Sequence, residues 1–469
     1  FAAALVKSGF KPGDVLTIVL PNMPEYPLIV LGALEAGLIV STANPLYTEH
    51  EISHQLENSE ARCIVTLPSV VPTCKKALAL VKKDVPIITV GSPRISSNYF
   101  KFISLDFIKE LHYFHRYFHE LAHDIARKSE DVALLLYSSG TTGLSKGVAL
   151  THKTSIYPSC IDDVLAEYQD VLMAVVPFFH STGLTCSLLN GIANYGKFVS
   201  FSKFDPVSYL KVTCVCAPPL TLFLGAHPAV TPEHLESVRY IFNGAGPVGQ
   251  SDIEKLIAKR PNKDAYGLTE TSPVVFLPKE TTTSLVTVGS PVSGSQVRVV
   301  DETGKNLGPN EKGELYVKGP HQVMKGYHKN EAATKEAFAE DGWFRTGDMV
   351  YYDENCEFFI VERLKELIKV KGFQVPPAEL ESLLRSHPDV SEAAVVGAPD
   401  ERAGERPVAF IVPKPGCKPD HEEVKEYVSK HVAEYKWIKE IKQVEAIPKN
   451  LSGKILRRQL KEEYLGKSS

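Results

Sequence analysis

The chain has 469 residues, 43% apolar and 23% charged, with a formal net charge of −4. That is enough apolar chain for a large core spread over about two to four domains, and the balance of charge excludes the electrostatic footprint of a nucleic-acid-binding protein. The charge is uneven: from Arg363 onward there are 20 Lys and Arg against 17 acidic residues, so the C-terminal part is mildly basic, as suits a polyphosphate ligand. Eight cysteines, at 63, 74, 160, 186, 214, 216, 356 and 417, form no C-x-x-C pair. Cys214 and Cys216 read as buried core thiols rather than a metal or redox pair, and the set predicts a reducing-compartment protein with no disulfide framework. The sequence starts at Phe1 rather than Met, with no visible signal peptide, so the natural N-terminus is expected upstream.

Along the chain, "VLTIVL" (15–20) reads as a buried strand closed by "PNMPEYP". "LIVLGALEAGLIV" (28–40) is too short to span a bilayer and predicts a core helix. A helix over 48–58 and strands over 61–66, 86–90 and 132–140 follow, an alternation that predicts layered α/β structure with parallel strands. Cys214 and Cys216 alternate on one face of a further strand. From about Gly289 the texture changes: "VRVVDETGKNLGPNEKGELYVKG" sets two strands around a Gly/Asn/Pro-rich turn, predicting a β-rich subdomain. "PPAELESLLRSH" starts a helix on proline, and "EAAVVGAPD", "PVAFIVP" and "DHEEVKEYVSKHVAEYK" complete a small α+β unit as strand, strand and helix.

"YSSGTTGLSKGV" (137–148) is the stretch with chemistry: hydroxyls, three glycines and Lys146 directly after a buried strand. It fails as a P-loop of the form G-x-x-x-x-G-K-[ST] at two positions, Ser145 where glycine is required and Gly147 where a hydroxyl should bind Mg²⁺. Composition alone leaves a phosphate-gripping loop and an ordinary Ser/Gly-rich surface turn both open. The stretch resembles the phosphate-binding signature of the adenylate-forming superfamily: acyl-CoA synthetases, 4-coumarate–CoA ligases, luciferases and peptide-synthetase adenylation domains. Seven further stretches resemble that family's motifs in family order: "VVPFFHSTG" (175–183), "NGAGPVG" (243–249), "YGLTETSPV" (266–274), "GELYVKGPHQVMKGYHKN" (313–330), "GWFRTGDM" (342–349), "ERLKELIKVKGFQVPPAELE" (362–381) and "PKNLSGKILRRQLK" (448–461). The texture is that of the 4-coumarate–CoA ligase-like branch.

The resemblance implies a large N-terminal adenylation domain (1–361) of layered α/β subdomains plus a β-rich subdomain, and a small mobile α+β lid (362–469) hinged near Lys365. It implies two steps: a carboxylic acid and ATP give acyl-adenylate and diphosphate, then coenzyme A gives acyl-CoA and AMP. Ser138, Ser139, Gly140, Thr141, Thr142 and Lys146 would hold the β- and γ-phosphates; Tyr266, Gly267 and Thr269 would face the nucleotide, Thr269 at the α-phosphate. Glu270 would bind Mg²⁺. Gly244 and Ala245 would lie against adenine; Asp348 would take the ribose hydroxyls, supported by Arg363. Lys454 would serve adenylation. In a second lid orientation Lys369, Lys371, Gly372 and Gln374 would face the site for thioester formation, Lys369 also touching nucleotide, with Lys371, Gly372 and Lys203 toward CoA. His180, Thr182, Pro273 and Val274 would line the acid pocket. Thr182 stands where hydroxycinnamate ligases carry Tyr, so a medium or long acyl chain, or a broad pocket, is expected over a strict 4-coumarate pocket.

Further departures are Glu362 for the family's Asp, Ser272 for a Gly, and two shortened segments, 205–212 and 261–266, the second lacking an apolar strand. These keep a catalytically impaired relative open beside the ligase and a luciferase-like oxygenase. Only 15 residues follow Lys454, so no carrier domain is expected in the chain, nor a nucleic-acid partner or a membrane span. The end "GKSS" is not the Ser-Lys-Leu address, and a cytoplasmic or peroxisomal location is expected.

Overall fold

The computed structural model describes residues 1–91, 125, 127–138, 145–156, 171–194, 196–199, 214–216, 230–236, 240–243, 262–279, 282, 284, 287–371, 373–449 and 454–466. Among them, a seven-stranded sheet runs in the order Gly326–Tyr327, Lys146–Thr151, Val132–Ser138, Ile39–Thr42, Val15–Val19, Cys63–Thr66, Ile87–Thr89. The last five strands pair in parallel; Lys146–Thr151 returns antiparallel beside Val132–Ser138. Val15–Val19 is buried at every position, so both faces of the sheet are covered. The core on this sheet takes in Leu16, Ile18, Tyr26 and Leu134, and reaches Phe178, Leu184 and Phe344 from later in the chain.

The helix expected over 28–40 is corrected to a helix Tyr26–Glu35 followed by the strand Ile39–Thr42. Gly37 ends it: at φ +78° it donates to Leu34 O while Leu38 N–H reaches back to Ala33 O, which closes the carbonyl end of the helix. A second, parallel sheet has the order Asn262–Asp264, Tyr240–Asn243, Cys214–Cys216, Val171–Met173, Lys197–Val199. Its strand Asn262–Asp264 corrects the expectation of a missing strand at 261–266. The pairing Ile241–Asn262 to Asn243–Asp264 is a main-chain ladder at the sheet's edge, where polar side chains are tolerated. The 205–212 segment lies outside the described residues.

The β-rich part is antiparallel. Gln296–Val300, Gly313–Lys318, Phe344–Tyr352 and Phe358–Arg363 form one sheet; Tyr266–Gly267, Val274–Leu277 and Ser290–Pro291 form a small one beside it. Sheet membership then changes between Arg363 and Ile368. Ile368–Val370, Phe373–Val375, Val390–Asp400, Gly404–Pro413 and Glu440–Gln443 make a separate sheet covered by the helix Pro377–Ser386 through Leu380 and Leu384. Burying those two leucines contributes roughly 1.5–3 kcal/mol each. The expected helix over 420–436 is shorter, His421–Ser429, capped by Asp420 and followed by a 3₁₀ turn at Glu434–Lys436. Among the described residues no helix is long and apolar enough to cross a membrane.

Candidate active site

Antiparallel pairing places Asp348 directly opposite Arg363. Arg363 Nε lies 3.0 Å from Asp348 Oδ1, and Tyr266 Oη–H donates to Oδ2 at 2.5 Å. Asp348 is only 3% exposed, and burial raises its pKa against the opposing pull of Arg363, Tyr266 and Lys454. Each oxygen keeps a further lone pair, so the carboxylate can still accept two hydroxyls. Gly347, at φ +71°, turns the backbone so that its N–H donates to Glu314 and the next side chain faces Tyr266.

Lys454 joins this cluster. Its Nζ is 3.9 Å from Glu366, and burial followed by Arg363 lowers its pKa, with Glu366 and Asp348 opposing. Lys365 is exposed in the turn after Arg363. Lys369 and Gln374 face each other across the hairpin Ile368–Val370/Phe373–Val375 and are exposed, as is Lys371 at φ +50°. Gln374 lines a cleft with Asp301, Lys312, Met349, Leu364 and Tyr435. Lys454 therefore stands with Asp348 and Arg363, while Lys369 and Lys371 are exposed and Gln374 is exposed at the cleft.

The end of the "YSSGTTGLSKGV" stretch meets the "YGLTE" stretch through Tyr327. Lys146 Nζ sits 4.8 Å over the Tyr327 ring, and Tyr327 Oη–H donates to Glu270 Oε1 at 3.0 Å. Burial, then Glu270, raises the Tyr327 pKa, so the phenol stays a donor. Glu270 is 9% exposed and its own carbonyl accepts from Met324 N–H. Thr269 Oγ1 is 3.2 Å from Ser181 Oγ, which joins this loop to the His180 segment. Ser138 closes the strand Val132–Ser138, paired with Lys146.

His180 is half-buried, and burial lowers its pKa, so the ring is neutral near pH 7. Asn22 shapes the preceding turn: its amide donates to the carbonyls of Ala174 and Val176 and accepts from Phe178 N–H. Thr42 Oγ1–H donates to Phe179 O at 2.7 Å. From Thr182 to Leu189 the chain winds as a π-helix, a rare form that often marks function. A Cβ on Gly183 would stand 2.0 Å from Pro177 O, so only glycine lets the helix begin there. Val274 packs on Cys186 of this helix, and Pro273 O accepts from Leu268 N–H and Thr271 Oγ1–H, folding Gly267 tightly against it.

Comparison with known proteins decides the family. The model described as AMP-binding enzyme matches residues 1–328, and that described as AMP-binding enzyme C-terminal domain matches 379–454. The chain belongs to the AMP-binding enzyme family. Among its relatives are 4-coumarate–CoA ligase 2 of Nicotiana tabacum, 40% identical over 98% of this chain and 86% of the relative, and 4-coumarate–CoA ligase 3 of Oryza sativa subsp. japonica, 38% identical over 98% and 84%. ATP-bound MatB from Rhodopseudomonas palustris superposes with a TM-score of 0.86 at 29% identity, covering 99% of this chain and 91% of that one. The o-succinylbenzoate CoA synthetase MenE of Bacillus subtilis, with its acyl-adenylate, gives 0.81 at 28%, covering 98% and 90%. This AMP-binding enzyme is an AMP-forming acid–CoA ligase that uses ATP and coenzyme A.

Of the expected site residues of this AMP-binding enzyme, Ser139, Gly140, Thr141, Thr142, Lys203, Gly244, Ala245 and Gly372 lie outside the described residues. Sequence reading missed Tyr327, Asn22, Glu366 and Arg457. Tyr327 and Arg457 fall inside quoted motifs, and their roles appear only through contacts with residues 57 and 76 positions away.

Proposed function

We propose that this ligase activates a medium- or long-chain fatty acid or an aryl-propenoic acid, using two faces of one lid in turn. The observation that carries this is the position of Lys454, buried beside Asp348, Arg363 and Glu366, while Lys369 and Gln374 stand exposed on the neighbouring hairpin. That is the arrangement expected for the first step. Asp348 accepts the ribose hydroxyls, with Tyr266 and Arg363 fixing its carboxylate. Lys454 places its cation where charge grows on the α-phosphate and acid oxygens, in a water-poor setting where a fixed charge acts strongly. Lys146 and the hydroxyls from Ser138 to Thr142 hold the departing diphosphate, and Thr269 faces the α-phosphate. Glu270 fits Mg²⁺: one oxygen is held by Tyr327, which leaves the other for an ion whose remaining ligands are phosphate and water.

Rotation about Lys365, of the small unit that follows it against the large unit before it, would then bring Lys369 and Gln374 inward, with Lys371, Gly372 and Lys203 meeting coenzyme A. His180, neutral and half-buried, positions the acid without adding charge to the pocket. Thr182, in place of an aromatic ring, leaves length for an alkyl chain. Buried thiols at Cys63, Cys74 and Cys186 suit a reducing compartment such as the cytosol or peroxisome. The test is acid-dependent ATP–diphosphate exchange followed by CoA-dependent AMP release, over C8–C16 fatty acids and 4-coumarate. Turnover of the fatty acids is expected; activity on 4-coumarate with none on C8–C16 acids would overturn the pocket reading, and exchange without CoA-dependent release would overturn the second half-reaction.

A further inference from the structure

The strand Phe358–Arg363 belongs to the large antiparallel sheet, yet one of its side chains ends on the small unit. Glu362 is 6% exposed, and its carboxylate accepts Arg363 N–H at 3.0 Å on Oε1 and Ala378 N–H at 3.1 Å on Oε2. Ala378 lies in the first turn of the helix Pro377–Ser386, whose N-cap residue, Pro376, offers no side-chain acceptor. Glu362 thus caps the helix from the other side of the hinge, where an anion is also favoured by the helix dipole. The rest of that helix leads back to the active site. Glu381 takes a bidentate pair from Arg457, Nε to Oε1 at 3.0 Å and Nη2 to Oε2 at 2.8 Å; Arg457 Nη1 also reaches Glu366, which faces Lys454. Aspartate, one methylene shorter, would not span from the same backbone position to Ala378.

We propose that Glu362 is a positioning residue, a latch whose hydrogen bond to Ala378 holds the lid in the orientation that presents Lys454 to Asp348 and Arg363. The latch must open before Lys369 and Gln374 can turn inward, so it favours the first half-reaction over the second. This rests on the two-orientation reading above.

The experiment compares Glu362→Gln and Glu362→Asp with the unaltered full chain in two assays: acid-dependent ATP–diphosphate exchange, and thioester formation from supplied acyl-adenylate and CoA. Exchange is expected to fall by roughly tenfold, the scale of one charge-assisted hydrogen bond, while thioester formation holds or rises. Ala378→Pro removes the donor within the helix's first turn, where that N–H has no partner inside the helix, and should reproduce the split. Equal loss in both assays, or no change in either, overturns the latch. Lys454→Ala separates the two ideas. If it lowers both steps equally, the two-orientation reading fails; if it lowers exchange alone and the Glu362 and Ala378 variants show no split, the latch alone fails.

Discussion

Ser272 adopts φ +62°, the left-handed region, and is fully buried, with a hydroxyl that has no hydrogen-bond partner among the described residues. A non-glycine residue pays about 1–2 kcal/mol for that backbone, and an unpaired buried hydroxyl adds to the cost. Glycine removes both at an entropic cost of roughly 0.5–1 kcal/mol. Ser272→Gly should therefore raise stability by about 1 kcal/mol, read as a higher urea midpoint at unchanged slope. Asp348 gives a pH signature. Burial raises its pKa, so protonation begins at a higher pH than for an ordinary aspartate, and in the role proposed for it only the ionised carboxylate would accept both ribose hydroxyls. Adenosine, which has no titrating phosphate, should bind more weakly as the pH is lowered, with the loss setting in at a higher pH than an ordinary aspartate would give, and Asp348→Asn should bind weakly with a flat profile. Asp348 and Lys454 could be singled out in the sequence because each sits in a short ordered motif. Tyr327 was not, because its meaning lies in Lys146 above its ring and Glu270 at its hydroxyl.

The helix Glu49–Ser59 shows the same limit at the level of an element. Its existence was readable, and a capping box between Thr48 and Glu51 fixes its start. Its purpose was not, because the partners lie far along the chain. His54 Nε2–H donates to Ser145 O at 3.0 Å, and Tyr137 Oη–H donates to Asn58 Oδ1 at 2.8 Å. One helical face thus holds both strand ends that flank the stretch proposed to bind phosphate. Gly147 belongs to the same contact, since a Cβ there would stand 2.9 Å from Asn58 Oδ1. His54→Ala loses one hydrogen bond worth about 0.5–1.5 kcal/mol, so KM for ATP should rise by roughly two- to tenfold while KM for the acid stays unchanged. Equal shifts in both constants would show that the helix does not act through the phosphate-binding end. The edge strand Asn262–Asp264 was illegible for a different reason: its sequence carries no apolar pattern, and its strand shows only as a ladder with Tyr240–Asn243.

At the scale of the molecule, the order of the motifs announced two units, and the exchange of sheets between Arg363 and Ile368 gives the division a physical form. The sequence did not show how charge is buried where the units meet. Arg457 is 11% exposed at its side chain and Glu381 3%, and the guanidinium pKa is raised chiefly by Glu381, Glu362 and Glu366 against burial. Such a group is costly to break from one side, because the partner is left charged in a poor solvent. Arg457→Met should destabilise the protein by about 3–5 kcal/mol. Glu381 also accepts Val395 N–H at 2.9 Å, a bond a neutral amide oxygen can keep. Adding Glu381→Gln to Arg457→Met should thus recover most of the loss, although the double variant contains one more substitution. Urea unfolding of the full chain reads both. A double variant no more stable than Arg457→Met would mean that the destabilisation comes from lost packing of the arginine stem, and not from an orphaned carboxylate at the lid.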